Sequence, residues 1–452
     1  MTRLFLGPLS RTPRGIDRVE LALASELFSA NDRLVVGVLP TAWGTRIYDA
    51  ARVRAGLREL EAMWAERRPS DSDPRLIGLS ERLNGNLDVR LATGKPMPIS
   101  TRALRMARLI RATGFSFGRS AKRAVPQGAA YINIGQIVLA APFFLRWLRK
   151  RPDVAPVFML HDVIPLDTPS YVAPSSVRHH ATMIKSTARY AAGLIVTTEH
   201  ARQTVGEELA RHRASALPTL VHGLPVAEVF RRPAEPQPAI ATSPYFVICG
   251  SIEPRKNHLL LLEVWRNLVA QIGPSAPHLV IVGSAGWRGS GILSQFDQCA
   301  LTRGYVHPVS GLSSPALTRL LQGAAALLMP SFNEGFGLPV LEARKLGVPV
   351  IVSDIPAHRE VAGAEAQFLR ADDVDGWTAA ISDRSAADYV PAVAGEPPQL
   401  TTSEDYGRAV AKFLDQCVGM RSHAKHQAHP SPESILSEVR HLGQRDYNPA
   451  LD

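Results

Sequence analysis

Three things are scarce in this chain: cysteine, acid and uninterrupted apolar sequence. Among 452 residues there are three cysteines, Cys249, Cys299 and Cys417, far apart and odd in number. That excludes a disulfide scaffold or a paired-cysteine zinc site and fits a reducing, cytoplasmic setting. Acids fall short of bases, 41 against 51, and the formal net charge of +10 favours anionic partners such as nucleotides, nucleic acid or acidic lipid. The longest apolar stretch, Ile134 to Leu145, is interrupted by Gln136 and Pro142 and is too short to span a bilayer. The first residues, Met1-Thr-Arg-Leu-Phe-Leu-Gly, lack the length and flanks of a signal peptide and read as a buried strand.

What is present is a globular composition, 45% apolar, in a chain too long for one ordinary domain. The first half alternates strands (Leu4-Phe-Leu, Leu34 to Leu39, Tyr131 to Ile134, Val157 to Leu160, Leu194 to Thr197) with helices. One helix runs from Gly15 to Leu27, with Ile16, Val19, Leu23 and Leu27 at helical spacing, and a long charged one spans Arg46 to Arg68. Prolines 233, 236, 238 and 244 mark a linker over 226–244. A second alternating series follows: strands Tyr245 to Cys249, His278 to Val282, Ala324 to Met329 and Val348 to Val352, with helices Leu259 to Leu268 and Ser314 to Leu321. Such alternation implies parallel sheets with helices on both faces, in two α/β units. The expected division is 1–225, a 226–244 linker, 245–400, a helix over 401–418 packing back toward the first unit, and a weakly ordered tail, 419–452. Ser403 would cap that helix, and Val410, Phe413, Leu414 and Cys417 share its apolar face. His423, His426 and His429 read as solvated tail, not a metal site.

The most informative stretch is Ser331-Phe-Asn-Glu-Gly-Phe-Gly-Leu-Pro-Val-Leu-Glu-Ala343. It follows a strand, and Pro339 suits the first turn of a helix, where a missing N–H costs nothing. Gly335 and Gly337 let backbone approach a ligand, and a bare helix N-terminus attracts anions. Glu334 and Glu342 bracket the turn, and ionised carboxylates accept hydrogen bonds from hydroxyls. Phosphate and hydroxyls together point to a nucleotide sugar. A second turn, Gly250-Ser-Ile-Glu-Pro-Arg-Lys-Asn257, places Arg255 and Lys256 at the end of a strand in an α/β sheet, where two cations can neutralise a diphosphate.

These two turns, with Gly347-Val-Pro-Val-Ile-Val-Ser-Asp354, Arg359-Glu-Val-Ala-Gly363, Gly15-Ile-Asp-Arg-Val19 and His161-Asp-Val-Ile-Pro165, resemble the family-four retaining glycosyltransferases of the GT-B fold. In that family the paired acids form a Glu-x7-Glu motif. The resemblance implies two Rossmann-like domains facing each other across a cleft, and hexosyl transfer, mannosyl among the options, in bacterial polysaccharide or lipopolysaccharide synthesis. It implies catalytic roles for Glu334 and His161, with Glu334 on the hydroxyls of the transferred sugar and His161 reaching it from the opposite domain. Glu342 would take the ribose hydroxyls, Arg255 and Lys256 the diphosphate, and the backbone of Gly335, Phe336, Gly337 and Leu338 would support the donor. Gly15 and Asp162 would lie on the acceptor side. Ser251 departs from relatives that carry Arg there, and Gln136 from relatives with His. No cofactor and no metal are implied, and no Asp-x-Asp metal site is expected.

The implied partners are a GDP- or UDP-sugar and a free or lipid-linked saccharide. Arg102, Arg105, Arg108 and Arg111 share one half of a helical wheel, with Ala103, Met106, Ala107 and Ile110 on the other. A basic amphipathic helix of this kind suits an anionic membrane surface and a peripheral place on the inner face of the cytoplasmic membrane. Phe143-Phe-Leu-Arg-Trp-Leu-Arg-Lys-Arg151 repeats the mix. Two alternatives compete. A sugar-nucleotide epimerase on a similar fold is disfavoured by the Glu-x7-Glu arrangement. A non-enzymatic membrane- or nucleic-acid-binding protein would use the basic charge, but the chain shows no RNA-binding aromatic motif.

Overall fold

The computed structural model describes residues 4–5, 13, 15–30, 32–64, 72–91, 99–212, 216–230, 238–385 and 400–428. Three sheets organise them. The strands are β1 (Gly37–Thr41), β2 (Gly44–Tyr48), β3 (Arg119–Ser120), β4 (Ala130–Asn133), β5 (Ala155–Met159), β6 (Gly193–Val196), β7 (Thr219–Val221), β8 (Tyr245–Cys249), β9 (His278–Val282), β10 (Val306–Val309), β11 (Ala326–Met329), β12 (Val350–Ser353) and β13 (Gln367–Leu369). The longer helices are α1 (Gly15–Ser29), α2 (Ala50–Trp64), α3 (Pro74–Leu83), α4 (Ile99–Thr113), α5 (Pro174–Tyr190), α6 (Glu199–Arg211), α7 (His258–Ile272), α8 (Gly289–Gln298), α9 (Ser314–Gln322), α10 (Leu338–Lys345), α11 (Pro356–Val361), α12 (Val374–Asp383) and α13 (Ser403–Ala428).

The second half holds a six-stranded parallel sheet in the order β10-β9-β8-β11-β12-β13, a doubly wound arrangement. Every residue of β8, β11 and β12 is buried, as expected of central strands covered on both faces. One face packs on Trp265, Leu261 and Trp377. The other joins a cluster that continues into the first half through Val157, Met159 and Ile195. The strand order reverses between β8 and β11, so the turns leaving those two strands open onto the same crevice. Both motif turns leave from there.

The first half holds the four-stranded parallel sheet β4-β5-β6-β7 and a separate antiparallel sheet, β1-β2-β3. Several expectations change here. Residues 34–39 do not form a parallel strand: the chain pairs as a hairpin over β1 and β2, turning at Gly44, whose φ of 96° suits glycine. Arg46 to Tyr48 is therefore strand, and the expected helix over 46–68 begins at Ala50, where the Asp49 carboxylate accepts the Arg52 N–H at 2.9 Å. Leu4 and Phe5 are helical, and Leu4 packs with Phe28, Val53 and Leu57. The outer edge of β4 borders an apolar slot of about 580 Å³ lined by Leu23, Leu27, Tyr131 and Leu414. On α4 the residues that face the protein are Arg105 and Leu109, so the arginine half of the wheel is not wholly outward.

Helix α13 lies on the first half against α1, β4 and β5, with Val410, Phe413, Leu414 and Cys417 buried. Its start is held by Thr402, whose Oγ1 accepts the Asp405 N–H at 3.0 Å, so Thr402 does the capping expected of Ser403. Residues 419–428 continue that helix, beyond the expected end at 418. His429, Pro233, Pro236 and the helix that Ser431-Pro432 would open lie outside the described residues, as do the side chains of His423 and His426.

Candidate active site

After β8 the chain makes a single 3-10 turn, Pro254–Lys256, stopped by Asn257 in the left-handed region. The Asn257 amide donates to Pro330 O at 3.1 Å and Ala371 O at 2.7 Å, tying this turn to the loops after β11 and β13. Arg255 and Lys256 are thereby aimed at the turn after β11. Arg255 Nη1 lies 2.9 Å from Glu334 Oε2, Lys256 Nζ 2.5 Å from Oε1, and the Ser331 hydroxyl donates to Oε1 at 2.7 Å. Arg255 also donates to Asn333 O at 2.6 Å and to Glu253 at 2.8 Å.

Burial works to raise the Glu334 carboxyl, but the Arg255 and Lys256 charges overcome it and hold the group well below the usual carboxylate range. Burial pulls the Lys256 ammonium down, and Glu334, shared with Arg255, only partly offsets this. The groups implied for sugar and diphosphate therefore form one ion triad, with Glu334 and Lys256 buried and Arg255 half-buried.

Glu342 stands apart from it. Its carboxylate, one turn inside α10, is buried and accepts from Arg18 Nη1 of α1. Burial raises its pKa, with Arg18 opposing. Arg18 also lies 5.0 Å from the centre of the Phe230 ring, and its Nε is buried without a hydrogen-bond partner. The turn between the acids has the geometry its glycines suggest. Gly337 caps α10 at φ 90°, and Gly335 is pressed against the other half: a Cβ there would sit 2.6 Å from Asp162 Oδ2 and 3.1 Å from His161 O. Asp162 accepts the Ile164 N–H at 3.0 Å, and Thr197 Oγ1 donates to Gly335 O at 3.3 Å. Phe336 is buried with its ring toward Gly223, and Gly15 abuts Leu338. Asn333 donates to Asp167 at 2.9 Å, and Phe332 stacks on Tyr171 at 4.9 Å.

The pocket left between the halves, lined by Asp162, Asp167, Asn333 and Gly335, is about 10 Å³, room for a single water. A ligand of nucleotide size does not fit that pocket.

Sequence reasoning passed over Arg18, Ser331, Ser353 and His358. His358 is fully buried and sits under the Gly337 turn, its Nδ1 2.9 Å from Ser353 O and its Nε2 without a partner. Ser353 in turn donates to Ser331 O at 2.5 Å. Arg18 lies inside the quoted Gly15–Val19 motif and His358 borders another, but nothing local shows what they meet. Gln136 adopts φ 60° after β4. Two Asp-x-Asp triplets do exist, Asp71-Ser-Asp73 and Asp373-Val-Asp375. Asp73 caps α3 and accepts Ser313 N–H at 2.9 Å, and Asp373 caps α12, so these two serve as helix caps; Asp71 lies outside the described residues. Among the described residues no group of three His, Cys, Asp or Glu is placed to hold a metal, and no helix is long and apolar enough to cross a membrane.

Residues 243–385 match the family described as Glycosyl transferases group 1. The chain is 28% identical over 230 residues to O-antigen chain mannosyltransferase B of Escherichia coli, covering 50% of this chain and 60% of that protein. It is 45% identical over 142 residues to O-antigen chain mannosyltransferase RfbU of Salmonella typhimurium, covering 31% and 38%. To the serotype-specific mannosyltransferase WbdA of Escherichia coli it is 26% identical over 229 residues, spanning 47% of this chain but only 27% of WbdA. Among solved structures, Anabaena Alr3699/HepE in complex with UDP superposes with a TM-score of 0.51 at 14% identity, over 92% of this chain and 98% of that one. That likeness shows the fold, the two-unit GT-B architecture. The six-stranded half of the chain, with its Arg255–Lys256–Glu334 triad, is a domain of the group 1 glycosyl transferases.

Proposed function

We propose that the chain is a retaining glycosyltransferase that moves a hexosyl group, mannosyl in the favoured reading, from a GDP- or UDP-sugar to a free or lipid-linked saccharide in surface-polysaccharide synthesis. The observation that carries this is the triad: a buried carboxylate held ionised against a buried lysine and a half-buried arginine, at the reversal point of a doubly wound sheet. Mannose is favoured because the three curated relatives above are each named mannosyltransferases.

In this reading the donor enters as the halves part and takes over the triad's interactions. Glu334 exchanges cation contacts for sugar hydroxyls, releasing Arg255 and Lys256 to the diphosphate. As the anomeric C–O bond breaks, its electron pair passes to the leaving diphosphate oxygen. The two cations and the α10 N-terminus stabilise that developing charge. The acceptor oxygen bonds to the anomeric carbon on the same face, and its proton leaves with the diphosphate. In this reading Glu334 positions the sugar, His161 approaches from the other half, and no cofactor or metal is needed for the step. A peripheral place on the cytoplasmic membrane would bring a lipid-linked acceptor within reach.

The test is a thermal-shift screen against UDP-, GDP- and dTDP-sugars, then a transfer assay with membrane extract. A GDP-hexose is expected to stabilise the protein and label a saccharide product. Stabilisation with epimerised sugar and no transfer would establish the epimerase, and no nucleotide-sugar response would overturn both readings.

A further inference from the structure

Between Asp88 and Asp153 the chain contains no Asp or Glu, while Arg and Lys recur throughout. The described part of this segment, with the nearby β1–β2 turn, also carries several exposed apolar side chains. Trp43, at the β1–β2 turn, is 67% exposed and meets Phe117 edge-on at 5.5 Å. Phe117 meets Phe115 at 5.0 Å, and these two rings are 59% and 74% exposed. The three rings thus form one outward cluster. Phe143 lies by the same antiparallel sheet, where Thr45 Oγ1 of β2 donates to the neighbouring Phe144 O at 2.8 Å. It is exposed too, with the Arg146 guanidinium 5.2 Å from its ring centre.

Helix α4 leads directly into this cluster and shows an unusual burial pattern. Only Arg105 and Leu109 are buried. At 100° per residue Ile99, Ala103, Met106 and Ile110 fall on one face, and all four are exposed. Arg102 and Arg111 border that face on its two sides, both exposed, whereas Arg108 is engaged by Glu59 at 2.7 Å. An apolar face open to solvent between arginines is how a helix lies in a bilayer interface. Contiguous exposed apolar surface of this kind marks an interaction site.

We propose that this surface, the Trp43–Phe115–Phe117 cluster with the outer face of α4, docks on an anionic lipid bilayer. Charge selects that occupant. A second copy of the chain would bring the same basic segment against itself, whereas anionic headgroups neutralise the arginines while rings and Ile, Met side chains enter the interface. Nucleic acid would satisfy the cations but leave the aliphatic face of α4 uncovered. The purpose of such docking, reaching a lipid-linked acceptor, rests on the transferase reading; the docking itself is measured without turnover.

The experiment floats the full chain with phosphatidylcholine vesicles, with and without phosphatidylglycerol. Binding is expected only with phosphatidylglycerol, falling as salt rises. Tryptophan emission should shift to the blue, and the shift should vanish in Trp43→Phe. Phe115→Ser with Phe117→Ser, and separately Arg102→Glu with Arg111→Glu, should each weaken binding about tenfold or more. Both variants should keep the wild-type thermal unfolding and nucleotide response. Absence of binding to anionic vesicles, or binding unchanged in both variants, overturns the proposal. So does self-association or single-stranded oligonucleotide binding that the same substitutions abolish in place of vesicle binding. If vesicles bind as expected while no nucleotide sugar does, the transferase reading fails and the docking surface stands.

Discussion

Arg18, on the first helix, donates its Nη1–H to the carboxylate of Glu342, 324 residues further along and buried in the opposite half. Glu342 is the residue the Glu-x7-Glu pattern directs toward ribose, so in the closed protein an arginine of the other half occupies its acceptor capacity. Removing one partner of a buried ion pair leaves an uncompensated charge and costs about 3–5 kcal/mol, whereas replacing both by apolar groups is often nearly neutral. Arg18→Met is therefore expected to lose stability in that range. The double change Arg18→Met with Glu342→Leu should recover most of it. Urea unfolding of the four proteins measures the coupling, and additive effects would show that the two residues do not depend on each other.

The two acids of the motif also differ in their response to pH. Glu334 has its folded pKa depressed below 4.5, so its stabilising contribution is complete above the unfolded value and is lost as pH falls through the range below it. Glu342 has its folded pKa raised above 4.5, so its ionised form opposes folding at neutral pH and acidification relieves that cost. Glu334→Gln should flatten the acid limb of a stability–pH profile, and Glu342→Gln should steepen it. Melting temperatures from pH 7 down to about pH 2 decide the matter. Identical profiles for the two variants would contradict the opposite environments.

Much of the six-stranded half was legible because its strong signals are local. A buried strand, a glycine turn and a proline-started helix follow each other within 326–345, and Arg255 and Lys256 are adjacent in sequence. Their pairing with Glu334, 78 residues away for Lys256, depends on β8 and β11 being neighbours, which periodicity does not reveal. The first half was harder for a physical reason. Arg46-Ile-Tyr48 and the helix after it form one charged, mixed pattern, and only the Asp49 cap separates strand from helix. The arginines of α4 suggested a solvent face, yet Arg105 is buried because the helix rests on α2 along that line.

Close backbone approach yields a prediction about the glycine turn. At Gly335 an added Cβ meets Asp162 Oδ2 at 2.6 Å and the His161 carbonyl at 3.1 Å, both from the opposite half. At Gly15 it meets only Leu338 Cδ2, at 2.6 Å, the end of a flexible side chain. Gly335→Ala should push the halves apart and lower kcat/KM at least tenfold, with stability reduced by about 1–3 kcal/mol. Gly15→Ala should cost less than about 1.5 kcal/mol, because a leucine rotamer can yield. Steady-state kinetics and thermal unfolding check both, and an unaffected Gly335→Ala enzyme would show that the contact is not used in turnover.

His358 gives the last prediction. Its Nδ1 lies 2.9 Å from the carbonyl of Ser353, which can only accept, so Nδ1 carries the proton and Nε2 presents a lone pair. Burial lowers the ring's pKa against the pull of Glu334, which keeps it neutral at pH 7. Nε2 has no protein partner and lies 3.7 Å from where a Cβ on Gly337 would be, beneath the turn proposed to support the donor. A buried acceptor without a donor costs about 1–3 kcal/mol, a cost that a ligand hydroxyl or a bound water in that turn would remove. His358→Phe keeps the ring volume and deletes the acceptor. Calorimetry should show nucleotide-sugar affinity falling about tenfold while the bare nucleoside diphosphate binds nearly as before. Equal losses for both ligands would mean that His358 shapes the turn and does not meet the sugar.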